Sequence, residues 1–519
     1  MVAILGFELP ILVFIAVPVL TSFLLIGLEK ILGISNQKKI ISHLIAVVSS
    51  MLDLFLAIIF AVELLKASSP HPRISEEILL SLRADLTSLF FILIFTLIHA
   101  AVCIYSINFM HKHYDLAHFY AILFAVVAGL NLIVLVTDYF TLFVAWEGMV
   151  LCAYAMVGFY RSKESSEAGF KYLIMSSTGS LLYLFGVALL YGIAGTLDFD
   201  ELATLNPLTE SPVLYIAILC MIFGFGVTAA LFFLNTWLPD AHPAAPPPAH
   251  AMLSGIIVIG GTYGILRIVF TVLPVSIAEI GGSFQGSTWS NFLITIGILT
   301  SLQGNIFAII QFMRKDPQAR NLKRIFAFST ISHMGYLITG LGAGNLLGIG
   351  GTIFHALNHA IAKGVLFMIT GYLIYSTGSY YLDHYKGLGR RDPIIGICFT
   401  VGLFSLASIP FTGGFWSKLM IILGLFTNSN PSFGILAGLC ALFVTFFAAA
   451  GYLWLIWYLV MIKPDQDEKY IKGFDRMTLR NGGFMKLSIV VLTILILILG
   501  IFPTIIGDFA VTATNALFP

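Results

Sequence analysis

The chain has 519 residues, of which 59% are hydrophobic and only 10% are charged. A soluble domain needs more polar surface than this composition supplies, so the composition excludes a soluble globular protein and predicts an integral membrane protein. The formal net charge of +1 says nothing useful about partners, and it gives no reason to expect a nucleic acid.

Apolar runs of about 20 residues, which as helices cross ~30 Å of hydrocarbon, recur along the whole sequence. Basic residues collect on the loops after odd-numbered runs, whereas the opposite loops hold only Lys66, Arg73 and Arg83. Because Lys and Arg mark cytoplasmic loops, we expect a cell-membrane protein with both termini outside and the loop 463–486 in the cytoplasm. The fourteen runs predict an all-α polytopic fold and cover residues 7–28, 41–64, 86–110, 117–137, 139–160, 170–194, 212–235, 250–274, 289–313, 323–343, 347–377, 393–425, 433–462 and 485–507.

Two of these spans contain residues that break helices. The seventh includes Gly224 and Gly226 and ends at Pro239, and the twelfth contains Pro410 followed by Gly413. Breaks at membrane depth are tolerated where they are buried or line a cavity, and a pair of them five spans apart is typical of inverted repeats. We therefore expect three N-terminal helices (1–115), two inverted five-helix repeats (116–275 and 288–462), and a cytoplasmic loop with the last helix (463–519).

The eleventh span has the densest polar signal, FHALNHAIAKG. His355, His359 and Lys363 are spaced at i, i+4 and i+8, which stacks them over about 12 Å of one helix face. Such a row indicates a proton relay, which His333 of the tenth span and Lys418 of the twelfth would extend laterally. Two alternatives stay open. One is a zinc site at the two histidines, disfavoured by the lysine in line with them; the other is a structural role in which they bond to carbonyls or hydroxyls.

Three further ionisable residues lie inside spans: Asp53 in the second, His99 in the third and Glu147 in the fifth. Ionisable groups in a bilayer are costly enough to be functional candidates. We interpret Asp53 and His99 as structural and Glu147 as a candidate for ion translocation. The five cysteines are isolated and no nucleotide-binding glycine loop is present, so we expect no cofactor and no metal.

Five segments carry a joint resemblance: DYFTLFVAWEGM, FFLNTWLPDAHPAAPPPAHAMLSG, LKRIFAFSTISHMGY, FHALNHAIAKGVLF and GGFWSKLM. Together they resemble the antiporter-like membrane subunits shared by proton-pumping NADH:quinone oxidoreductase, multisubunit sodium/proton antiporters, and membrane-bound hydrogenase or sulfane reductase complexes. The resemblance implies a polar axis from a fifth-span Glu paired with a seventh-span Lys, through an eighth-span Lys or His, to a twelfth-span Lys or Glu. Glu147 and Lys418 match its ends, with His333, His359 and Lys363 between them.

Two positions depart from this family pattern. Thr228 stands where the seventh-span lysine is usual, and Ile259 stands where the eighth-span lysine is usual. Without a lysine partner, Glu147 is expected to be neutral near pH 7 and held by hydrogen bonds. The pattern therefore predicts that no continuous proton path crosses the first repeat.

The resemblance implies a membrane subunit of a multisubunit respiratory redox complex. Such a subunit couples electron transfer in other subunits to the movement of protons, sodium ions or both, and it has no redox site of its own. Its expected partners are other membrane subunits and the lipid bilayer. Two alternatives are a subunit of a stand-alone sodium/proton antiporter and a mainly structural paralogue.

Overall fold

A computed structural model of the protein describes most of the chain, and its helices dominate. Within the described residues, twelve helices are long and apolar enough to cross a membrane. The description covers residues 2–4, 7–32, 36–66, 73–77, 80–111, 115–205, 211–272, 284–316, 319–463 and 482–515.

The N-terminal part consists of helices with two short antiparallel hairpins, which the sequence did not predict. The hairpins pair β1 (Val2–Ile4) with β2 (Phe7–Leu9) and β3 (Arg73–Glu77) with β4 (Ser81–Asp85). The helices are α1 (Val13–Leu32), α2 (Asn36–Lys66), α3 (Leu86–Phe109), α4 (Leu116–Leu135), α5 (Tyr139–Val157), α6 (Lys163–Ala194), α7 (Phe199–Thr204), α8 (Pro212–Thr228), α9 (Leu238–Ala244) and α10 (Pro247–Thr271).

The C-terminal part consists of helices joined by loops, with no β-strand among its described residues. The segment 464–481, most of the predicted cytoplasmic loop, lies outside them. The helices are α11 (Thr288–Met313), α12 (Leu322–Ala343), α13 (Leu346–Thr377), α14 (Leu388–Arg391), α15 (Pro393–Leu406), α16 (Gly413–Phe426), α17 (Pro431–Met461), α18 (Gly483–Ile501) and α19 (Pro503–Asn515).

The polytopic all-α fold predicted from the sequence is confirmed. Twelve of the predicted spans are single long helices, and the other two are the broken ones. The seventh span is α8 followed by α9, and it leaves helical geometry at Thr228 rather than at 235. The twelfth span is α15 followed by α16. The eighth span, α10, contains a π-helical segment, Leu253–Ile257, that was not expected.

The two breaks have the same backbone geometry. Ala230 and Phe233 follow α8 with φ of 53° and 67°, and Ser408 and Phe411 follow α15 with φ of 60° and 69°. Non-glycine residues rarely adopt this left-handed conformation, so its recurrence at the same spacing is a distinctive feature that the two breaks share. The closing hydrogen bonds also repeat, from Ala230 N to Val227 O and Leu231 N to Gly226 O, and from Ser408 N to Ser405 O and Ile409 N to Phe404 O.

Helix α13 lies in the core of the bundle. It packs against α3, α10, α12, α15, α16, α18 and α19. Its ends are fixed by the side chain of Asn345, which accepts a hydrogen bond from Gly348 N, and by Gly378 in the left-handed conformation (φ 71°). The position of α13 explains why His355, His359 and Lys363 are all fully buried.

Candidate functional site

Lys363 anchors one end of a buried polar network between α12, α13 and α17. Its Nζ donates hydrogen bonds to Ser329 Oγ at 2.7 Å and to the carbonyl oxygen of Phe326 at 2.9 Å. Ser329 Oγ in turn shares a 2.6 Å hydrogen bond with the hydroxyl of Tyr452. All four residues come from helices that span the membrane, so a lysine in the bundle interior is satisfied without a carboxylate.

Two histidines continue the network from Tyr452. The hydroxyl of Tyr452 lies 3.4 Å from His333 Nε2, and His333 Nδ1 shares a 3.0 Å hydrogen bond with His355 Nε2. His355 Nδ1 then shares a 2.9 Å hydrogen bond with Ser417 Oγ, next to Lys418 on α16. We call this sequence of contacts the polar path, and its members are Lys363, Ser329, Tyr452, His333, His355 and Ser417.

The hydrogen bonds of the polar path can all point in one direction. An ammonium group only donates hydrogen bonds, so Ser329 accepts from Lys363 and its own hydroxyl proton is directed to Tyr452. The Tyr452 hydroxyl in turn donates to His333. Each neutral imidazole then accepts at one nitrogen and donates at the other. Ser417 completes the series, since its hydroxyl lies 3.3 Å from the carbonyl oxygen of Gly414 and donates to it. A proton leaving Lys363 can therefore be relayed to Ser417 by single hops.

Lys418 lies at the far end of the polar path, beside the second helix break. Its Nζ donates a 2.9 Å hydrogen bond to the carbonyl oxygen of Leu406, the last residue of α15, and lies 4.4 Å from the centre of the Tyr336 ring. It is near enough to His333 and His355 to act on both electrostatically. The unpaired carbonyls at a helix C-terminus favour a cation, so the break itself supplies the site for Lys418.

His359 does not lie between His355 and Lys363 on the polar path, contrary to the linear row expected from the sequence. Its Nε2 contacts the carbonyl oxygen of Ser254 at 3.1 Å, in the π-helical segment of α10, and its Nδ1 has no partner among the described residues. Its ring centre is 5.3 Å from that of His333. A bond from His359 to a backbone carbonyl is what the structural alternative for these histidines predicts. The direct pairing of His333 with His355 is not what that alternative predicts.

A charged cavity of about 700 Å³ opens at one end of the bundle. Lys323 reaches it from α12, although only 2% of its surface is exposed, and its Nζ donates a 3.2 Å hydrogen bond to the carbonyl oxygen of Pro243. The charged lining residues are Glu164, Glu167, Lys171, Asp240, Arg314, Lys323 and Arg324. Most of these residues belong to loops and helix ends predicted to face the cytoplasm.

Two histidines that the sequence analysis did not select lie near Lys323, which lines this cavity. His242 of α9 and His250 of α10 are fully buried, with ring centres 4.9 Å and 5.6 Å from that of Phe367 and 5.8 Å from each other. His242 is within electrostatic range of both Lys323 and Lys363, and its ring nitrogens have no partner in the described part of the chain. Both histidines belong to the segment LPDAHPAAPPPAH. Their proximity depends on the broken helix, which the sequence alone does not show.

Comparison with known proteins identifies the family. Residues 136–445 match the family of membrane subunits described as NADH:quinone oxidoreductase/Mrp antiporter. The chain belongs to this family. NADH-quinone oxidoreductase subunit N of Desulforudis audaxviator is 34% identical over 307 residues, which are 59% of this chain and 58% of that protein.

Two further family members cover more of the chain. A Na(+)/H(+) antiporter subunit of Alkalihalophilus pseudofirmus is 30% identical over 69% of this chain and 70% of its own length. A chain of the membrane-bound sulfane sulfur reductase, an archaeal respiratory membrane complex, has the same fold with a TM-score of 0.81 and 26% identity, covering 98% of this chain and 97% of that one. These relatives are subunits of multisubunit membrane complexes.

The two positions that lack the family lysines are packed as ordinary core. Thr228 Oγ1 accepts a 3.0 Å hydrogen bond from Trp146 Nε1, and the Trp146 ring stacks on Phe225 with centres 4.3 Å apart. Ile259 is fully buried. Aromatic and aliphatic side chains therefore fill this region, and Thr228 holds the tryptophan that directly precedes Glu147.

Glu147 is separated from the polar path. The side chain is half-buried on α5, and its buried Oε2 has no hydrogen-bond partner among the described residues. The sequence analysis expected hydrogen bonds to hold the Glu147 carboxyl group, and Oε2 makes none of them among the described residues. Tyr172 of α6 lies within electrostatic range, and no hydrogen bond seen in the described part of the chain joins Glu147 to Lys363.

Proposed function

We propose that this protein is an ion-translocating membrane subunit of a multisubunit respiratory redox complex, in which it couples electron transfer in other subunits to cation movement. The observation that carries the proposal is the polar path, because it links buried Lys363 to Ser417, the neighbour of buried Lys418, through groups that can each accept and release a proton. Similarity to a subunit of NADH-quinone oxidoreductase and to a chain of a respiratory sulfane sulfur reductase supports the redox assignment.

In this proposal the second half of the molecule moves protons. Lys363 supplies a proton, and His333 and His355 relay it to Ser417. Lys418, the next residue along α16, is the proposed acceptor near the break between α15 and α16. The chemistry of the path favours a proton over a sodium ion, since nitrogen atoms and single hydroxyls are poor ligands for a hard cation. His359 is a side branch of the path that connects it to α10.

The first half is proposed to be partly degenerate. Glu147 has lost the cationic partner that the family pattern provides, because Thr228 and Ile259 replace the lysines. A carboxyl group without a switchable partner cannot pass an electrostatic signal by pairing and unpairing. On this view the domain organisation is two repeats of related geometry, of which only the second retains a continuous path.

Two other functions have specific support. Similarity to a Na(+)/H(+) antiporter component favours a stand-alone sodium/proton antiporter, and the missing lysines favour a mainly structural paralogue. Purification in mild detergent followed by identification of the co-purifying chains separates them. Iron–sulfur or hydrogenase-like subunits support the redox complex, whereas their absence from an intact assembly contradicts it.

Ion translocation is tested by Lys363→Met in the assembled complex reconstituted into liposomes. Methionine retains most of the volume of lysine but cannot donate a proton, so we expect proton uptake, followed with a pH-sensitive dye, to fall by about tenfold or more. The matched control is Lys386→Met, because Lys386 is a lysine on the loop before α14 and is not on the polar path. Wild-type uptake by a correctly assembled Lys363→Met complex would refute the assignment.

A further inference from the structure

A second buried polar cluster lies among α2, α3 and α4, N-terminal to the residues that match the family. Asp53 of α2 and His99 of α3 are both fully buried. Neither carboxylate oxygen of Asp53 and neither ring nitrogen of His99 has a hydrogen-bond partner within the described residues. Buried polar groups are normally satisfied, so both residues require an explanation that a purely structural role does not give.

Packing places these two residues at the same depth. Lys39 at the start of α2 donates a hydrogen bond to the carbonyl oxygen of His111, just after α3. Cys103, further back on α3, lies close to Ser50 and Asp53, so the two helices run antiparallel. Asp53 is one turn beyond Ser50, and His99 is one turn before Cys103, so the carboxyl and the imidazole are level across the interface. The His99 ring also packs edge-on against Phe124 of α4, with centres 4.4 Å apart.

The cluster continues to one surface of the protein. His43 of α2 shares a 2.8 Å hydrogen bond between its Nδ1 and the hydroxyl of Tyr120 on α4, and that hydroxyl lies 3.3 Å from the carbonyl oxygen of Cys103. The His43 ring stacks on exposed His111, with centres 5.8 Å apart. His43, Ser50 and Asp53 share the buried face of α2, so polar groups extend from the surface to Asp53 along one side of this helix.

No ion pair with Asp53 is present in the described part of the chain. The charged and titratable groups around the cluster are Glu29 of α1, paired with His118 of α4 at 3.0 Å, together with Lys39, His43, His99, Cys103, His111 and Tyr120. Lys39 donates to the carbonyl oxygen of His111, near the surface end of α2. An ionised carboxylate without a cation or a hydrogen bond is too costly in this interior, so the carboxyl must carry a proton.

We propose that Asp53 is a proton-binding site, separate from the polar path, which fills from the end of the bundle that carries His43 and His111. A proton that arrives at His43 releases another to the Tyr120 hydroxyl. The Tyr120 hydroxyl is the inner end of the hydrogen-bonded part of this route, and the Asp53 carboxylate takes up one proton to become a neutral carboxylic acid. A metal cation does not fit, since Ser50 Oγ already donates to the carbonyl oxygen of Val47 and hard cations need about six oxygen ligands.

The test is infrared spectroscopy of the assembled complex in a lipid film, which does not depend on pumping. The test uses a Glu147→Gln background, because Glu147 is the other carboxyl expected to be neutral. In that background the C=O band of a protonated, unbonded carboxyl should be present, absent after Asp53→Asn, and unchanged by Asp138→Asn. Asp138 is the control because its carboxylate is already bonded to the N–H groups of Phe140 and Thr141. Retention of the band in a correctly assembled Asp53→Asn complex would overturn the proposal, as would its loss from the Glu147→Gln complex on addition of sodium ions.

The route is tested by transfer of the film into heavy water. The Asp53 band should shift as the carboxyl exchanges its proton, and Tyr120→Phe should slow this shift by about tenfold or more, because it removes a positioned donor and acceptor. Tyr105→Phe, which changes a tyrosine of α3 that donates instead to the carbonyl oxygen of Met368, should leave the rate unchanged. Equal rates in the Glu147→Gln background with and without Tyr120→Phe would contradict this route.

Discussion

At the scale of single residues, one hydroxyl joins the two parts of the polar path. Tyr452 shares hydrogen bonds with Ser329 on the Lys363 side and with His333 on the other side. No other hydrogen bond found among the described residues connects these two parts. The contact with His333, at 3.4 Å, is the longest step, so the path is most easily interrupted there.

Tyr452→Phe is therefore expected to reduce proton uptake by the reconstituted complex about tenfold or more, while assembly stays normal. The control is Tyr336→Phe. It removes a buried hydroxyl that bonds to Thr445 instead of the path, and it retains the aromatic ring beside Lys418. Uptake measured with a pH-sensitive dye should be near the wild-type level in the control, and equal losses in the two variants would show that the hydroxyl itself is not the connection.

At the scale of helices, the breaks after α8 and α15 place functional groups that an unbroken helix could not. The second break exposes the carbonyl oxygen of Leu406 to Lys418, and the first lets α9 bring His242 beside Phe367. Left-handed residues are costly without glycine, roughly 1–2 kcal/mol each, so packing must hold both breaks in place.

Neighbouring alanines at the first break allow that strain to be measured. Ala229 (φ −71°) and Ala230 (φ 53°) are both fully buried, so replacing either by glycine removes a similar methyl contact. Glycine relieves the left-handed strain only at Ala230, so Ala230→Gly should be more stable than Ala229→Gly by about 1–2 kcal/mol. Thermal unfolding of the purified variants measures the difference, and the opposite order of stability would contradict the assigned conformation.

At the scale of the whole molecule, we propose that the two halves differ in what they can conduct. We expect Lys418→Ala to abolish most proton uptake by the assembled complex, because it removes the proposed acceptor next to Ser417, where the polar path ends. Glu147→Gln should cost little, because Glu147 has no cationic partner in the described residues. A comparable loss from both changes, measured in the same proteoliposome assay, would mean that another subunit supplies the missing cation to the first half.

Orientation is a second property of the whole molecule that stays a prediction. A tag inserted in the loop 463–486 should be reachable only from the cytoplasmic side, and a tag at the C-terminus only from outside. The physical reason is the excess of Lys and Arg on the loops after odd-numbered spans. Labelling of both tags from the same side by a membrane-impermeant reagent would reverse this topology.

The sequence alone determined the membrane class, the fourteen spans and which two spans are broken, although it did not place the first break at Thr228. These properties depend on composition and on local residue type, since a helix must be apolar over about 20 residues to cross the bilayer and glycine or proline interrupts it. The sequence also placed His355, His359 and Lys363 on one helix. It predicted the wrong order along the path, because spacing on α13 cannot show which groups other helices supply.

Only the tertiary structure decided which polar groups touch. Ser329, Tyr452 and Ser417 look like ordinary small or aromatic residues of apolar spans, and they become part of the path because α12, α16 and α17 converge on α13. Asp53 and His99 are unrelated single residues in the sequence, and antiparallel packing makes them level. Contacts of this kind join residues far apart in sequence through side-chain geometry, so they are set by the packing of helices and not by the pattern within any one of them.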